Sequence, residues 1–165
     1  MVITPDVINL EYAVHNGLKY FELIAEPVIR EILPGLFMKG WGYNGSIPGP
    51  TIQVYPGDYV CIRVYNKLPE GTSIHWHGLD IPVTMDGAPD VQPTPLIAPG
   101  HYFDYQFKIV NPPGTHMYHT HTNTPKQQMM GLGGALIILD PCEEYIDRDY
   151  FIMLQEFKLE GLKMG

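Results

Sequence analysis

The sequence predicts an all-β domain, a sandwich or a barrel, and three observations point there. Glycine and proline together make 33 of the 165 residues (17 plus 16) and are spread evenly, so turns are frequent and elements short. Several segments alternate apolar and polar residues with a period of two, the mark of half-buried strands. The one segment with an amphipathic-helix pattern, Leu18–Leu33 (LKYFELIAEPVIREIL), carries Pro27 in its middle, which argues against a helix.

That segment is therefore read as two strand pieces joined at the proline. Residues 42–58 (GYNGSIPGPTIQVYPGD) place turn residues around one short apolar run, 51–55. Tyr59–Asn66 (YVCIRVYN) alternates strictly, with Val60, Ile62 and Val64 on one face. Residues 73–79 (SIHWHGL) form a further strand, and 100–110 (GHYFDYQFKIV) alternate again. Residues 115–121 (THMYHTH) lead into a loop with one helical turn around 127–130. The apolar run 133–139 (GGALIIL) reads as a fully buried strand, and 150–157 (YFIMLQEF) as the last. Seven or eight strands separated by turn signals suit a sandwich or a barrel.

A length of 165 residues is one domain, and 45% hydrophobic residues suffice for a packed core. A net charge of −8 without basic runs argues against nucleic acid and anionic membranes as partners. No apolar stretch has the length of a membrane span. The opening MVITPDVINL lacks the basic-then-apolar pattern of a secretion signal, and the compartment stays open. Cys61 and Cys142 allow one disulfide, but two separate thiols are the favoured reading. The end, KLEGLKMG, reads as a tail or a cut linker.

Four of the seven histidines form two matched pairs, His75 with His77 and His119 with His121. In a strand, residues i and i+2 point to the same face, with Cα atoms about 6.7 Å apart. Two parallel imidazoles so spaced suit two neighbouring metal ions better than one. Two such strands side by side would gather four imidazoles, a donor set suited to copper, zinc, iron or nickel. Surface or cross-strand histidines are the plain alternative; the repetition of the pattern favours metal. His15, His101 and His116 lack a partner at metal-binding spacing and are read as structural or surface residues. Trp76 alternates with the paired histidines, so it faces the other side of the sheet and packs in the core. Met117, Met129 and Met130 are read as flexible fillers rather than as a soft Cu(I) site.

In these motifs the chain resembles the multicopper oxidases, the laccase and ascorbate oxidase family. Residues 74–79 (IHWHGL) resemble the family's first copper motif, and 117–121 (MYHTH) its second. Between them, 85–89 (MDGAP) resemble the loop after the first motif, and 43–45 (YNG) with 48–52 (PGPTI) the entry into the domain. The likeness runs from about Tyr43 to Leu139. It implies a cupredoxin-like Greek-key β-barrel or sandwich. Residues 1–42 would supply N-terminal strands, 43–157 the core with both motifs, and 158–165 the tail.

The resemblance also implies copper as cofactor. His75 would bind a type 2 copper, and His77, His119 and His121 a type 3 pair. These are half the ligands of the trinuclear cluster at which the family reduces dioxygen. A second cupredoxin domain or identical subunits would supply the rest, and an electron donor the electrons. Laid on the family's type 1 motif, Thr120 falls at the cysteine, Pro125 at the second histidine, Met130 at the methionine and Thr72 at the upstream ligand. Three of these four are not copper ligands, so no type 1 copper is expected. The isolated domain should then show little oxidase activity. The competing readings are a stand-alone copper module that self-associates through its histidine face, and an interaction domain whose histidines are relics. An acid close to the first motif, Asp86, carries no assigned role at this point.

Overall fold

The computed structural model describes residues 2–144 and 146–157. Two β-sheets pack face to face. The first is built from β1 (Tyr12–His15), β2 (Leu18–Leu33), β3 (Leu36–Tyr43), β5 (Tyr59–Asn66) and β7 (Tyr102–Lys108). The second runs in the order β4 (Gly49–Val54), β9 (Gly133–Ile138), β8 (Gly114–His119) and β6 (His75–His77). One helix, α1 (Thr124–Met130), stands between β8 and β9. The expected all-β sandwich is what forms.

The alternation read in β5 does what it predicts. Val60, Ile62 and Val64 are buried and face inward, while Arg63 stays outside and clamps Asp104 of β7 with two hydrogen bonds of 2.7 Å. The main core joins the two sheets. Phe21, Leu23, Tyr105 and Phe107 come from the first, and Ile52, Trp76, Tyr118, Leu136 and Ile138 from the second. β9 is buried along its whole length, as its unbroken apolar run requires.

The structure departs from expectation at two places. Leu18–Leu33 is one continuous strand, not two pieces. Its parallel pairing with β5 ends at Ala25 opposite Asn66, and beyond that point it pairs only with β3. Pro27 therefore sits where one side of the strand has no neighbour, the position in which a missing N–H costs nothing. β1 and β3 fall in the stretch 1–42 expected to supply N-terminal strands, although no local pattern marks their bounds. Residues 151–157 are not a strand, although Tyr150 bridges to Ile3. The segment's two phenylalanines serve as separate anchors instead: Phe151 packs on Val2, Ala135 and Ile137, and Phe157 on Val28, Met38 and Ile47. The KLEGLKMG tail lies outside the described residues. Cys61 is buried and Cys142 exposed, and the two are free thiols.

Candidate copper site

β6 and β8 pair antiparallel with His75 opposite His119, Trp76 opposite Tyr118 and His77 opposite Met117. This register decides the site. Trp76 and Tyr118 turn into the core, both fully buried, so alternation sends the histidines to the other face together. One ligand atom from each of His75, His77 and His119 lies within 4.8 Å of the others. His121 follows the end of β8, and its ring centre is 5.5 Å from that of His75. The two sequence pairs thus meet on one patch. His15 and His101 lie exposed, and His116 stands beside Gly78 and Gly114; none of the three joins the cluster.

The backbone orients the rings. The Asp86 carbonyl accepts a hydrogen bond of 2.8 Å from Nδ1 of His75, which leaves Nε2 unprotonated and free to ligate. The Asp86 carboxylate stands 3.4 Å from the same nitrogen. This turn comes so close to β6 that only glycine fits after Asp86. Gly87 has φ +82°, and a Cβ there would lie 1.6 Å from the Ile74 carbonyl oxygen. His119 likewise donates from Nδ1 to the Thr120 carbonyl at 2.8 Å, which leaves its Nε2 free. That nitrogen is 3.1 Å from Nδ1 of His77. Two nitrogens bound to one metal ion at about 2.0–2.1 Å each sit roughly 3 Å apart, so this pair is spaced to share an ion. Nδ1 of His121 is buried and has no hydrogen-bond partner among the described residues. Buried polar atoms are seldom left so, and an imidazole nitrogen without a proton partner is a natural metal donor. The donors present therefore fit a copper ion.

Burial holds the His119 imidazolium below its ordinary pKa, helped by repulsion from His75, His77 and His121 and opposed by the Thr120 carbonyl. The folded protein thus prefers His119 neutral, the form that binds metal. The sign for stability follows. A base whose pKa is depressed on folding contributes fully above its unfolded value, near 6.5, and the contribution fades as pH falls below that. Urea unfolding of metal-free protein is expected to show stability dropping below about pH 6.5, with a shallower drop in His119→Gln. Equal slopes for the two proteins would contradict this.

Sequence reasoning missed the glutamines of α1. The Gln128 side-chain amide lies 2.7 Å from Nδ1 of His119, and with Nδ1–H donating to the Thr120 carbonyl it is the amide oxygen, not its NH2, that can face this nitrogen. Gln127 is fully buried and bonds to both Thr72 and Thr120. Two adjacent glutamines in a short helix carry no signal that separates them from solvated polar residues. Met117 shares the histidine face, Met129 is half exposed, and Met130 packs against the main core.

The comparisons with known proteins decide the family. The sequence profile of the multicopper oxidases matches residues 29–143. The chain belongs to the multicopper oxidase family. A multicopper oxidase of Staphylococcus aureus is 40% identical over 128 residues, covering 76% of this chain and 28% of that protein. The crystal structure of a multicopper oxidase from Pseudomonas thermotolerans superposes with a TM-score of 0.70 at 42% identity, covering 73% of this chain and 29% of the other. A laccase structure from Pediococcus acidilactici reaches a TM-score of 0.74 at 30% identity, over 86% of this chain and 31% of the other. These likenesses establish the cupredoxin-like fold. This multicopper oxidase chain spans less than a third of the length of these three relatives.

Proposed function

We propose that this chain is the amino-terminal cupredoxin domain of a laccase-like multicopper oxidase, and that it supplies half of a trinuclear copper cluster. The observation that carries the reading is the pairing of β6 with β8, which puts His75, His77, His119 and His121 on one face. His75 is assigned to a type 2 copper, and His77, His119 and His121 to a type 3 pair. The short His77–His119 nitrogen separation supports a shared ion for those two. When bound, the copper ions supply one-electron redox chemistry and a place for dioxygen to be reduced. The chain's own residues hold and orient the imidazoles: the Asp86 and Thr120 carbonyls select which ring nitrogen is free.

A ring of four imidazoles from one chain is half the set that the family resemblance implies. We therefore infer a partner, either a second cupredoxin domain or an identical subunit, that brings the other half to this face. Two observations support the absence of a type 1 copper in this chain. Between Thr72 and Thr120 the Gln127 amide oxygen accepts hydrogen bonds of 2.8 and 2.7 Å from their hydroxyls, and Cys61 lies in β5 of the other sheet. Electrons must then arrive from a copper centre elsewhere, and isolated chains are expected to turn over slowly or not at all.

The test is reconstitution with Cu(II), followed by copper per chain and molar mass by light scattering. Copper bound through the histidines, without the intense blue colour of a thiolate–copper bond, is expected. Copper together with an oligomer identifies identical subunits as the partner; weakly held copper on a monomer identifies a different domain. An intense blue species would overturn the absence of a type 1 centre.

A further inference from the structure

We infer that Gln127 is a positioning residue that clasps the two histidine motifs to each other. Its side chain is fully buried, and each hydrogen-bonding site of its amide is used. The oxygen accepts from Thr72 at 2.8 Å and from Thr120 at 2.7 Å. The nitrogen donates to the Gly71 carbonyl at 2.9 Å and to the Glu70 carboxylate at 3.0 Å.

The partners lie in two places in the chain. Glu70, Gly71 and Thr72 run directly into β6, three residues before His75 at Thr72. Thr120 stands between His119 and His121, and its carbonyl is the acceptor that fixes the His119 ring. A single amide therefore bridges the lead-in to the first motif and the centre of the second. A second, smaller link between the same segments joins Ser73 to Thr122 at 3.0 Å.

The outer end of the clasp is anchored as well. Glu70 also accepts from Lys126 and Asn123, at the start of α1, and Lys126 first, then Gln127, hold its carboxyl below the ordinary pKa. The helix is thus tied to the segment before β6 by charge at the surface and by the amide inside. β6 itself is three residues long and lies at the sheet edge, where among the described residues its only strand partner is β8. So short an edge strand has little of its own to hold His75 and His77 at a set distance from His121. Gln127 supplies that constraint from behind the sheet, without touching a ring.

This inference rests on the proposed copper reading, and the test separates the two. Gln127→Met keeps length and volume but removes all four hydrogen bonds. Thr51→Val serves as control, because it breaks the buried Thr4–Thr51 hydrogen bond far from the histidines. Both variants are expected to lose some thermal stability. Only Gln127→Met is expected to weaken Cu(II) binding, by about 10- to 100-fold, the effect of losing support around a metal ligand, and to alter the Cu(II) electron paramagnetic resonance spectrum. A metal-free readout stands beside it. Long-range 1H–15N spectra are expected to show His119 as a single Nδ1–H tautomer in the wild type and in Thr51→Val, and as a mixture in Gln127→Met. Wild-type tautomer and wild-type affinity in Gln127→Met overturn the clasp and leave the copper reading standing. If the wild type binds no copper, the copper reading fails, and the tautomer spectra alone decide whether Gln127 positions the ring.

Discussion

Copper binding is expected to fall by at least a hundredfold when His77 and His119 are both replaced by alanine. Losing an outer support of a metal ligand costs roughly 10–100-fold, so losing two ligands costs no less than the top of that range. These two are chosen because their nitrogens lie 3.1 Å apart, the spacing of donors to one ion. The fold is expected to survive, as read by far-UV circular dichroism, because both rings lie on the face of the sheet opposite Trp76 and Tyr118, which fill the core between the sheets. Isothermal titration with Cu(II) gives the affinity, and light scattering at the same concentration gives the mass. If copper content and oligomeric state both match the wild type, the assignment of this face to copper is wrong.

The second large effect lies one residue away and concerns stability. Trp76 sits between the two histidines of the first motif, yet it is fully buried against Tyr105, Phe107 and Tyr118, with ring centres 5.3 to 6.0 Å apart. Trp76→Ala is expected to cost about 3–5 kcal/mol, the usual loss for removing a large buried aromatic. Against a typical total of roughly 5–15 kcal/mol, that brings the domain close to unfolding. Trp76→Phe is expected to cost much less, since the indole N–H has no hydrogen-bond partner to lose among the described residues. Urea titrations of the three proteins provide the check. A Trp76→Ala protein within about 1 kcal/mol of the wild type, the size of an ordinary surface change, would show that this side chain is not what joins the sheets.

These two residues also show why the site was legible in the sequence. A His-X-His pair with tryptophan at its centre has one meaning in a strand: period two sends the ring nitrogens one way and the indole the other. The repetition of the pair forty-four positions later then needs only one register to build a patch, and the pairing of His75 with His119 provides it. β3 was illegible for the opposite reason. Its sequence, LFMKGWGY, holds two glycines that read as turn residues. In the fold Gly40 is there for contact, since a Cβ on it would lie 2.5 Å from the Met130 carbonyl oxygen. Close approach between elements distant in the chain leaves no local pattern. The same holds for Gln127, whose partners lie as far as 57 residues away. Residues 151–157 misled in the other direction: the apolar run Phe151–Leu154 reads like a buried strand, yet Ile152 and Leu154 stand exposed and the segment forms no ladder.

The parallel pairings have a consequence for the order of assembly. β2 lies beside β5, and β4 beside β9, with Ile52 opposite Leu136. Neither pair is a local hairpin, so each must close a long loop before it yields any contact. The second sheet in particular lacks the inner strand that joins β4 to β8 until Gly133–Ile138 is present. During synthesis almost the whole domain must leave the ribosome before β4, β8 and β6 can settle around β9. The β6–β8 ladder is direct, but it is expected to be held in its final place only once β9 docks, so metal capture at the histidine face is expected to follow folding rather than guide it.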